Sequence, residues 1–473
     1  MAARPFLIGG EWRSSAQVRE VIHPYDGSVA GEVYQASNTD IADAIASAVL
    51  AFRESRRLAS YERMDALLAI ARGVGERKEE LAVMITRETG KPIALSRAEV
   101  DRSMFTFQTA AEEAGRIYGE MLPLDMTSAS RGRFAVVKRF PIGPVAAITP
   151  FNFPLNLVAH KLAPAFATGN PVILKPSSHA PATSLLLAEI ILESGLPRGV
   201  LSVIPCCGGE ASQLIADQRV ALITFTGSPA VGWPLKSQAG RKRVTLELGG
   251  NAGAIIDKGA DIRFAAAKVV AGGFANAGQS CISVQRVYVH RDIREEFLSV
   301  LLPIVNDLKV GDPWNDQTIV GPMITRQAAE QAEGWVKEAL AGGARALAGG
   351  ARNGAVLVPT VLTGVAPAMK VSCMEVFAPI ITIEPFDEFA EAISRVNDSE
   401  YGLQAGVFTR DLHHMLRAFE ELEVGGVIIN DVPTYRMDHM PYGGVKGSGF
   451  GREGIRYAME EMTERKLLAI NPL

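Results

Sequence analysis

The sequence predicts an α/β protein built on a parallel sheet with helices on both faces. Three observations carry that prediction. Short apolar runs follow one another from Pro144: Pro144-Val-Ala-Ala-Ile-Thr149, Pro171-Val-Ile-Leu-Lys175, Val200-Leu-Ser-Val-Ile204, Leu222-Ile-Thr-Phe225 and Val244-Thr-Leu-Glu-Leu248. Helical stretches such as 182–193 lie between several of them. A second alternating series follows Cys281 and ends in Gly426-Val-Ile-Ile-Asn430. Strands that are apolar throughout, alternating with helices, belong to parallel sheets buried on both faces. A ligand is then expected in the crevice at the carboxyl ends of the strands.

The elements before Pro144 follow from local signals. Ile8-Gly-Gly-Glu-Trp-Arg-Ser reads as a hairpin, and Ile22-His-Pro-Tyr-Asp-Gly-Ser as a turn after a short strand. Asn38-Thr-Asp supplies capping residues ahead of Ile41, Ile45, Val49 and Phe52, which repeat at helical spacing. Tyr61, Met64, Leu67, Leu68 and Ala71 repeat that period, and a long helix is predicted over 96–118. Arg133-Phe-Ala-Val-Val-Lys-Arg-Phe140 alternates like an exposed strand. The stretches 305–313 and 341–353 read as Gly- and Ala-rich connections within the second series.

Size and composition bound the function. A chain of 473 residues is too long for one core and suits two domains with an appendage. A net charge of −4, with 21% charged residues, points away from nucleic acid and anionic membranes as partners. The four cysteines have no Cys-x-x-Cys pair, and adjacent Cys206 and Cys207 are not a metal spacing, so no metal site is expected. So few cysteines fit a reducing compartment. No run is apolar enough for a signal peptide or a membrane span, which makes the cytoplasm the expected location.

Candidate chemistry gathers at strand ends. Phe274-Ala-Asn-Ala-Gly-Gln-Ser-Cys281 ends an Ala-rich segment in a polar turn, and Ile282-Ser-Val-Gln-Arg-Val-Tyr-Val289 reads as a strand directly after it. A buried, inert thiol is the alternative for Cys281. Its setting argues for a nucleophile, and Glu247, in Leu246-Glu-Leu-Gly-Gly-Asn251, is a carboxylate able to activate water. Phe225-Thr-Gly-Ser228, followed by Val231-Gly232, puts backbone amides at a helix start, where an anion such as pyrophosphate is favoured. A plain strand-to-helix turn is the alternative there, since the Gly-x-Gly-x-x-Gly fingerprint is absent. Lys175 ends another strand and could hold a ribose hydroxyl or simply point into solvent. Asn152, locked between Pro150 and Pro154, could donate to an oxyanion or form an Asx-turn.

Taken together, the motifs at 149–154, 227–232, 246–250, 278–281, 375–379 and 441–449 stand in the order seen in the aldehyde dehydrogenase superfamily, and the resemblance covers essentially the whole chain. It implies a Rossmann-like nucleotide-binding domain over 1–121 and 140–249, a catalytic domain over 250–446, and a small β oligomerisation arm from 122–139 and 447–473. It implies Cys281 as nucleophile, Glu247 as general base and Asn152 as oxyanion donor, with NAD or NADP as cofactor. Thr149, Pro150, Phe151, Lys175, Ser178, Gly227, Ser228, Gly249, Glu375 and Phe377 match cofactor-binding positions. Phe151 stands where the family often has tryptophan, and Ala378 where glycine is common. The family also implies a homodimer or homotetramer.

Within the superfamily the tail 430–444 most resembles enzymes of small polar or anionic aldehydes: lactaldehyde, glyceraldehyde 3-phosphate and phosphonoacetaldehyde. Arg102, His160 and Arg436 are the implied substrate contacts. A pair of arginines suits a phosphate or carboxylate, and a salt bridge is the alternative for each. Ser178 replaces a glutamate that many NAD-preferring members carry, which removes a repulsion against a 2′-phosphate and leaves both nicotinamide cofactors open. Glu247 disfavours a CoA-acylating relative, in which the base tends to be missing. A non-catalytic protein on the same scaffold would have no need for Cys281, Glu247 and Asn152 together.

Overall fold

A computed structural model describes residues 2–472. Its largest sheet has eight strands in the order Glu11–Arg13, Phe6–Ile8, Leu201–Val203, Val172–Lys175, Val145–Ile148, Leu222–Thr226, Arg243–Glu247 and Gly449–Phe450. The inner five are parallel and apolar almost throughout, as a sheet covered on both faces requires. The outer pairings are antiparallel. From Val145–Ile148 the chain adds strands on one side, then returns to lay Leu222–Thr226 on the other. That reversal opens a crevice between the carboxyl ends of these two neighbours.

Helices close both faces. Asn156–Thr168 is buried along its whole length, Lys161 included. Pro181–Leu192 begins on proline, whose missing N–H costs nothing in a first turn. Its next two amides, at Ala182 and Thr183, donate to the buried Glu88 carboxylate at 2.7 and 2.9 Å. An acid in that position complements the helix dipole.

The second sheet lies within 253–429, in the order Arg345–Ala348, Thr360–Thr363, Ile380–Phe386, Arg286–His290, Gly253–Ile256, Gln404–Phe408 and Gly426–Ile429, and only its first pairing is antiparallel. A third sheet joins Glu120–Pro123, Phe134–Pro141 and Thr463–Ile470. It leaves Met121, Val136, Leu467 and Leu468 exposed. Among the described residues, no helix is long and apolar enough to cross a membrane.

Several expectations are revised. The long helix runs Ile93–Ala114, starting after Pro92, which presets the entry, and ending before Gly115. The strand after Cys281 begins only at Arg286, because 282–285 forms turns and loop contacts instead. The connection 341–353 contains the strand Arg345–Ala348, which pairs at the sheet edge despite its small residues. Within 447–473, Gly449–Phe450 pairs with Arg243–Glu247 in the largest sheet, so this stretch is shared between that sheet and the small one.

Candidate active site

The turn that carries Cys281 is rigid rather than flexible. Asn276, Ala277 and Gly278 occupy the left-handed region in succession, with φ of 52°, 54° and 67°. Two of the three carry a Cβ, at a cost of roughly 1–2 kcal/mol each. The surroundings hold them there. Gln279 is buried, donates from Nε2 to the Asn276 carbonyl at 3.1 Å and accepts the Ile324 amide at 2.8 Å. Close packing continues on the other side. A Cβ on Gly250 would strike the Cys281 carbonyl oxygen, so only glycine lets these two segments approach.

Cys281 lines a cavity of about 530 Å³ that lies where the two large sheets meet. Its walls include Pro150, Phe151 and Asn152 from the end of Val145–Ile148, Gly227 and Ser228 from the end of Leu222–Thr226, and Glu247 and Gly249 from the end of Arg243–Glu247. Thus the crevice at the strand-order reversal opens directly onto the thiol. Asn152 is buried and donates from Nδ2 to the Gln279 carbonyl at 3.0 Å, which leaves its second N–H available. Burial pushes the Cys281 thiol up to about 12, opposed by its hydrogen-bond contact with Tyr442, whose hydroxyl lies 3.0 Å from Sγ.

Glu247 is buried with neither carboxylate oxygen hydrogen-bonded. Burial raises it well above the usual carboxylate range, and the nearby charge of Glu453 adds to the rise. Glu453 itself is held ionised by Lys161 and Arg436, at 3.0 and 3.2 Å, against the pull of its own burial. The surroundings therefore push these two buried acids in opposite directions.

The other half of the cavity and its rim gather groups that suit phosphate and hydroxyls. Ser228 stands at the N-cap of Pro229–Gln238, yet its hydroxyl caps no amide and is free for a ligand at the positive end of the helix. Thr149 and Thr226 are buried with unpartnered hydroxyls on either side of the crevice. Glu375 accepts the Gly250 amide at 3.0 Å, and burial raises it to about 7. Phe151 and Phe377 meet edge to face at 6.1 Å, forming an aromatic wall. Lys175 and Ser178 are half-buried and do not line the cavity; the Lys175 ammonium donates to the Pro176 carbonyl at 3.2 Å.

The three candidate substrate contacts separate. Arg102 and Arg436 line the cavity, but each is already paired with an acid. Arg102 Nη2 donates to Asp438 at 2.7 Å, with the side chain still 36% exposed. Arg436 is almost fully buried, bonded to Glu453, and lies 3.7 Å over the Tyr442 ring. His160 does not reach the cavity. It is buried behind Asp438, with Nε2 2.8 Å from the same oxygen that Arg102 uses. Lys161, Asp438, Tyr442 and Glu453 escape a reading of local sequence, because only the fold brings them together from positions up to 292 residues apart.

The family model described as aldehyde dehydrogenase family matches residues 12–468. The 3-sulfolactaldehyde dehydrogenase of Priestia aryabhattai is 48% identical over 465 residues, covering 98% of this chain and 97% of that protein. The crystal structure of aldehyde dehydrogenase 21 from Physcomitrella patens, in complex with the reaction product succinate, matches with a TM-score of 0.97 at 43% identity over 99% of each chain. An NADP-dependent glyceraldehyde-3-phosphate dehydrogenase from Bacillus halodurans, complexed with NADP, matches with a TM-score of 0.97 at 35% identity over 100% of each chain.

Proposed function

This chain belongs to the aldehyde dehydrogenase family, and we propose that it oxidises a short, polar or anionic aldehyde to its carboxylate with NAD or NADP, through a thioester on Cys281. The observation that carries the reading is the single cavity in which a thiol, a side-chain amide and a buried unpartnered carboxyl face a helix N-terminus and an aromatic wall.

Each residue then has a task. Cys281, as thiolate, attacks the aldehyde carbon. The second N–H of Asn152 and the Cys281 backbone amide donate to the oxygen as it gains charge, and one such donor is worth about 10²–10³ in rate. The nicotinamide, when bound, supplies the hydride acceptor. Ser228 and the first amides of Pro229–Gln238 would hold its pyrophosphate, Glu375 its ribose hydroxyls, and Phe151 and Phe377 would supply an aromatic wall. Cys281 retains the acyl group as a thioester. Glu247 takes a proton from water, which hydrolyses the thioester to the carboxylate, and general base help of this kind contributes about 10²–10⁴.

The half-exposed Arg102 has donors left over after pairing with Asp438, so an anionic tail can bind it without breaking that pair. The relatives named for a sulfonated aldehyde, a phosphorylated aldehyde and the dicarboxylate succinate support this substrate class. The same reading takes the three-stranded sheet, with its exposed Leu467 and Leu468, as the contact in a homodimer or homotetramer, and four free cysteines suit the cytoplasm.

The test is a panel of sulfonated, phosphorylated, carboxylated and neutral short aldehydes with each nicotinamide cofactor, following reduced-nicotinamide absorbance. Anionic aldehydes should exceed propanal in kcat/KM by about ten- to a hundredfold, the value of a charged hydrogen bond. Cys281→Ala should abolish oxidation and keep dinucleotide binding. An active Cys281→Ala enzyme would overturn the mechanism, and a preference for propanal would overturn the substrate class.

A further inference from the structure

Among the cavity's remaining groups, one touches the reacting sulfur. Tyr442 Oη lies 3.0 Å from Cys281 Sγ. The ring is buried in a small apolar cluster with Ile282 and Leu403. Its backbone is fixed by two hydrogen bonds to Glu453, whose amide donates to the Tyr442 carbonyl at 2.6 Å and whose carbonyl accepts the Tyr442 amide at 3.0 Å. Since the Glu453 side chain is itself bound to Lys161 and Arg436, Tyr442 has little freedom to leave the sulfur. Arg436 covers the ring face at 3.7 Å, a stacking that favours electron density on the phenol without taking its proton.

We propose that Tyr442 is a catalytic residue whose hydroxyl donates a hydrogen bond to Cys281 Sγ and stabilises the thiolate before it attacks. The inference rests on the reading of Cys281 as the nucleophile. The charged groups facing the pair are Glu247 at the end of Arg243–Glu247, Glu375 ahead of Ile380–Phe386, and Arg436 in the loop that leads to Tyr442. When ionised, the two acids oppose a thiolate. Arg436 favours one but stands over the ring of Tyr442, so the phenol hydroxyl is the neutral donor in direct contact with the sulfur. The proton balance is simple. The thiol proton leaves for a base or solvent, Tyr442 keeps its own, and the sulfur lone pair forms the bond to the carbonyl carbon. Once that bond exists the sulfur is a weak acceptor, so the hydrogen bond lowers the barrier to thiolate formation without holding back the thioester. Burial and the neighbouring Cys281 keep the phenol protonated well above its ordinary range, as a donor requires.

The experiment measures alkylation of Cys281 by iodoacetamide as a function of pH in the full-length enzyme. Tyr442→Phe keeps the ring, its packing and its stacking with Arg436, and removes only the hydroxyl. The midpoint should rise by about one to two pH units, the value of a charged hydrogen bond on the pKa scale. The pre-steady-state burst of reduced cofactor at neutral pH should slow about three- to fifteenfold, since the scarcer thiolate is also more nucleophilic, with deacylation unchanged. Replacing Tyr442 with a ring-fluorinated, more acidic tyrosine should move the midpoint down, and it reads the same contact if Tyr442→Phe folds poorly. A midpoint that is unchanged, or that falls in Tyr442→Phe, overturns the proposal. A lower Tm with an unmoved midpoint makes Tyr442 structural and overturns it as well. Either result leaves the Cys281→Ala test of the mechanism untouched.

Discussion

Glu247 shows how much a single residue's behaviour depends on its surroundings. Buried, with no hydrogen bond to either oxygen and with Glu453 nearby, it holds its proton well above the usual range. A general base must be ionised to act, so the deacylation rate should rise with pH through that raised midpoint. Glu247→Gln should remove this limb. It should also give a burst of reduced cofactor near one per active site, followed by a slow steady state, as measured by stopped-flow absorbance. No burst, with a slowed hydride step, would assign Glu247 a different role. The stability sign is opposite to that of most acids. A carboxyl whose folded pKa is raised supports the fold below its unfolded pKa, and that support is lost as pH rises through the folded value. Glutamine mimics the protonated form, so Glu247→Gln should keep or raise the Tm at alkaline pH.

At the scale of elements, the ends of the parallel strands matter most. Three of these strands end in turns that the sequence makes stiff: Pro150 and Pro154 around Asn152, Pro176 after Lys175, and Ser228 with Pro229 ahead of a helix. Ser178 is three residues beyond the strand Val172–Lys175 and half-buried. If it faces the cofactor ribose, Ser178→Glu adds a hydroxyl acceptor and a charge that repels a 2′-phosphate. The ratio of kcat/KM for NAD over NADP should then rise about tenfold or more, read from steady-state kinetics with each nucleotide. An unchanged ratio would mean that Ser178 faces away. The turn at 276–278 makes a related point. Its strained residues persist because Gln279 ties the loop from within and Asn152 and Ile324 hold it from outside.

For the whole molecule, Asp438 is a tie. It accepts from Arg102 on Ile93–Ala114 and lies against His160 on Asn156–Thr168, joining two helices of the first body to the loop that follows the second sheet. Burial alone would raise its pKa, but His160 and Arg102 hold it well below the carboxylate range. Such a group supports the fold above its unfolded pKa and loses that support as pH falls. Asp438→Asn should therefore flatten the acid side of the Tm–pH curve. Arg102→Leu separates substrate binding from structure. It should cost an anionic aldehyde about ten- to a hundredfold in kcat/KM and leave propanal nearly unaffected. It should also lower the Tm, because the buried Asp438 loses one of its two partners, but that loss does not depend on which aldehyde is assayed. Equal losses on both aldehydes would reduce the Arg102–Asp438 pair to a salt bridge.

Local pattern by itself determined the architecture. Apolar runs of strand length, separated by helical periods and stiff turns, demand a covered parallel sheet whatever the details, and strand ends are where such sheets bind ligands. That is why Asn152, Ser228, Glu247 and Cys281 are all nominated by residues within a few positions of themselves. What the pattern lacked was distance. Nothing near Glu453 in the chain signals that Lys161 and Arg436 will neutralise it, or that Tyr442 will reach Cys281 across 161 positions. His160 and Arg102 look alike as candidate anion contacts, yet one is sealed behind Asp438 and the other opens to the cavity. Even Cys281's turn, polar and glycine-containing, suggests flexibility until packing against Ala378 and Gln279 makes it rigid. Charge states, partners and rigidity depend on burial and on contacts between segments far apart in the chain, and only the tertiary structure decided them.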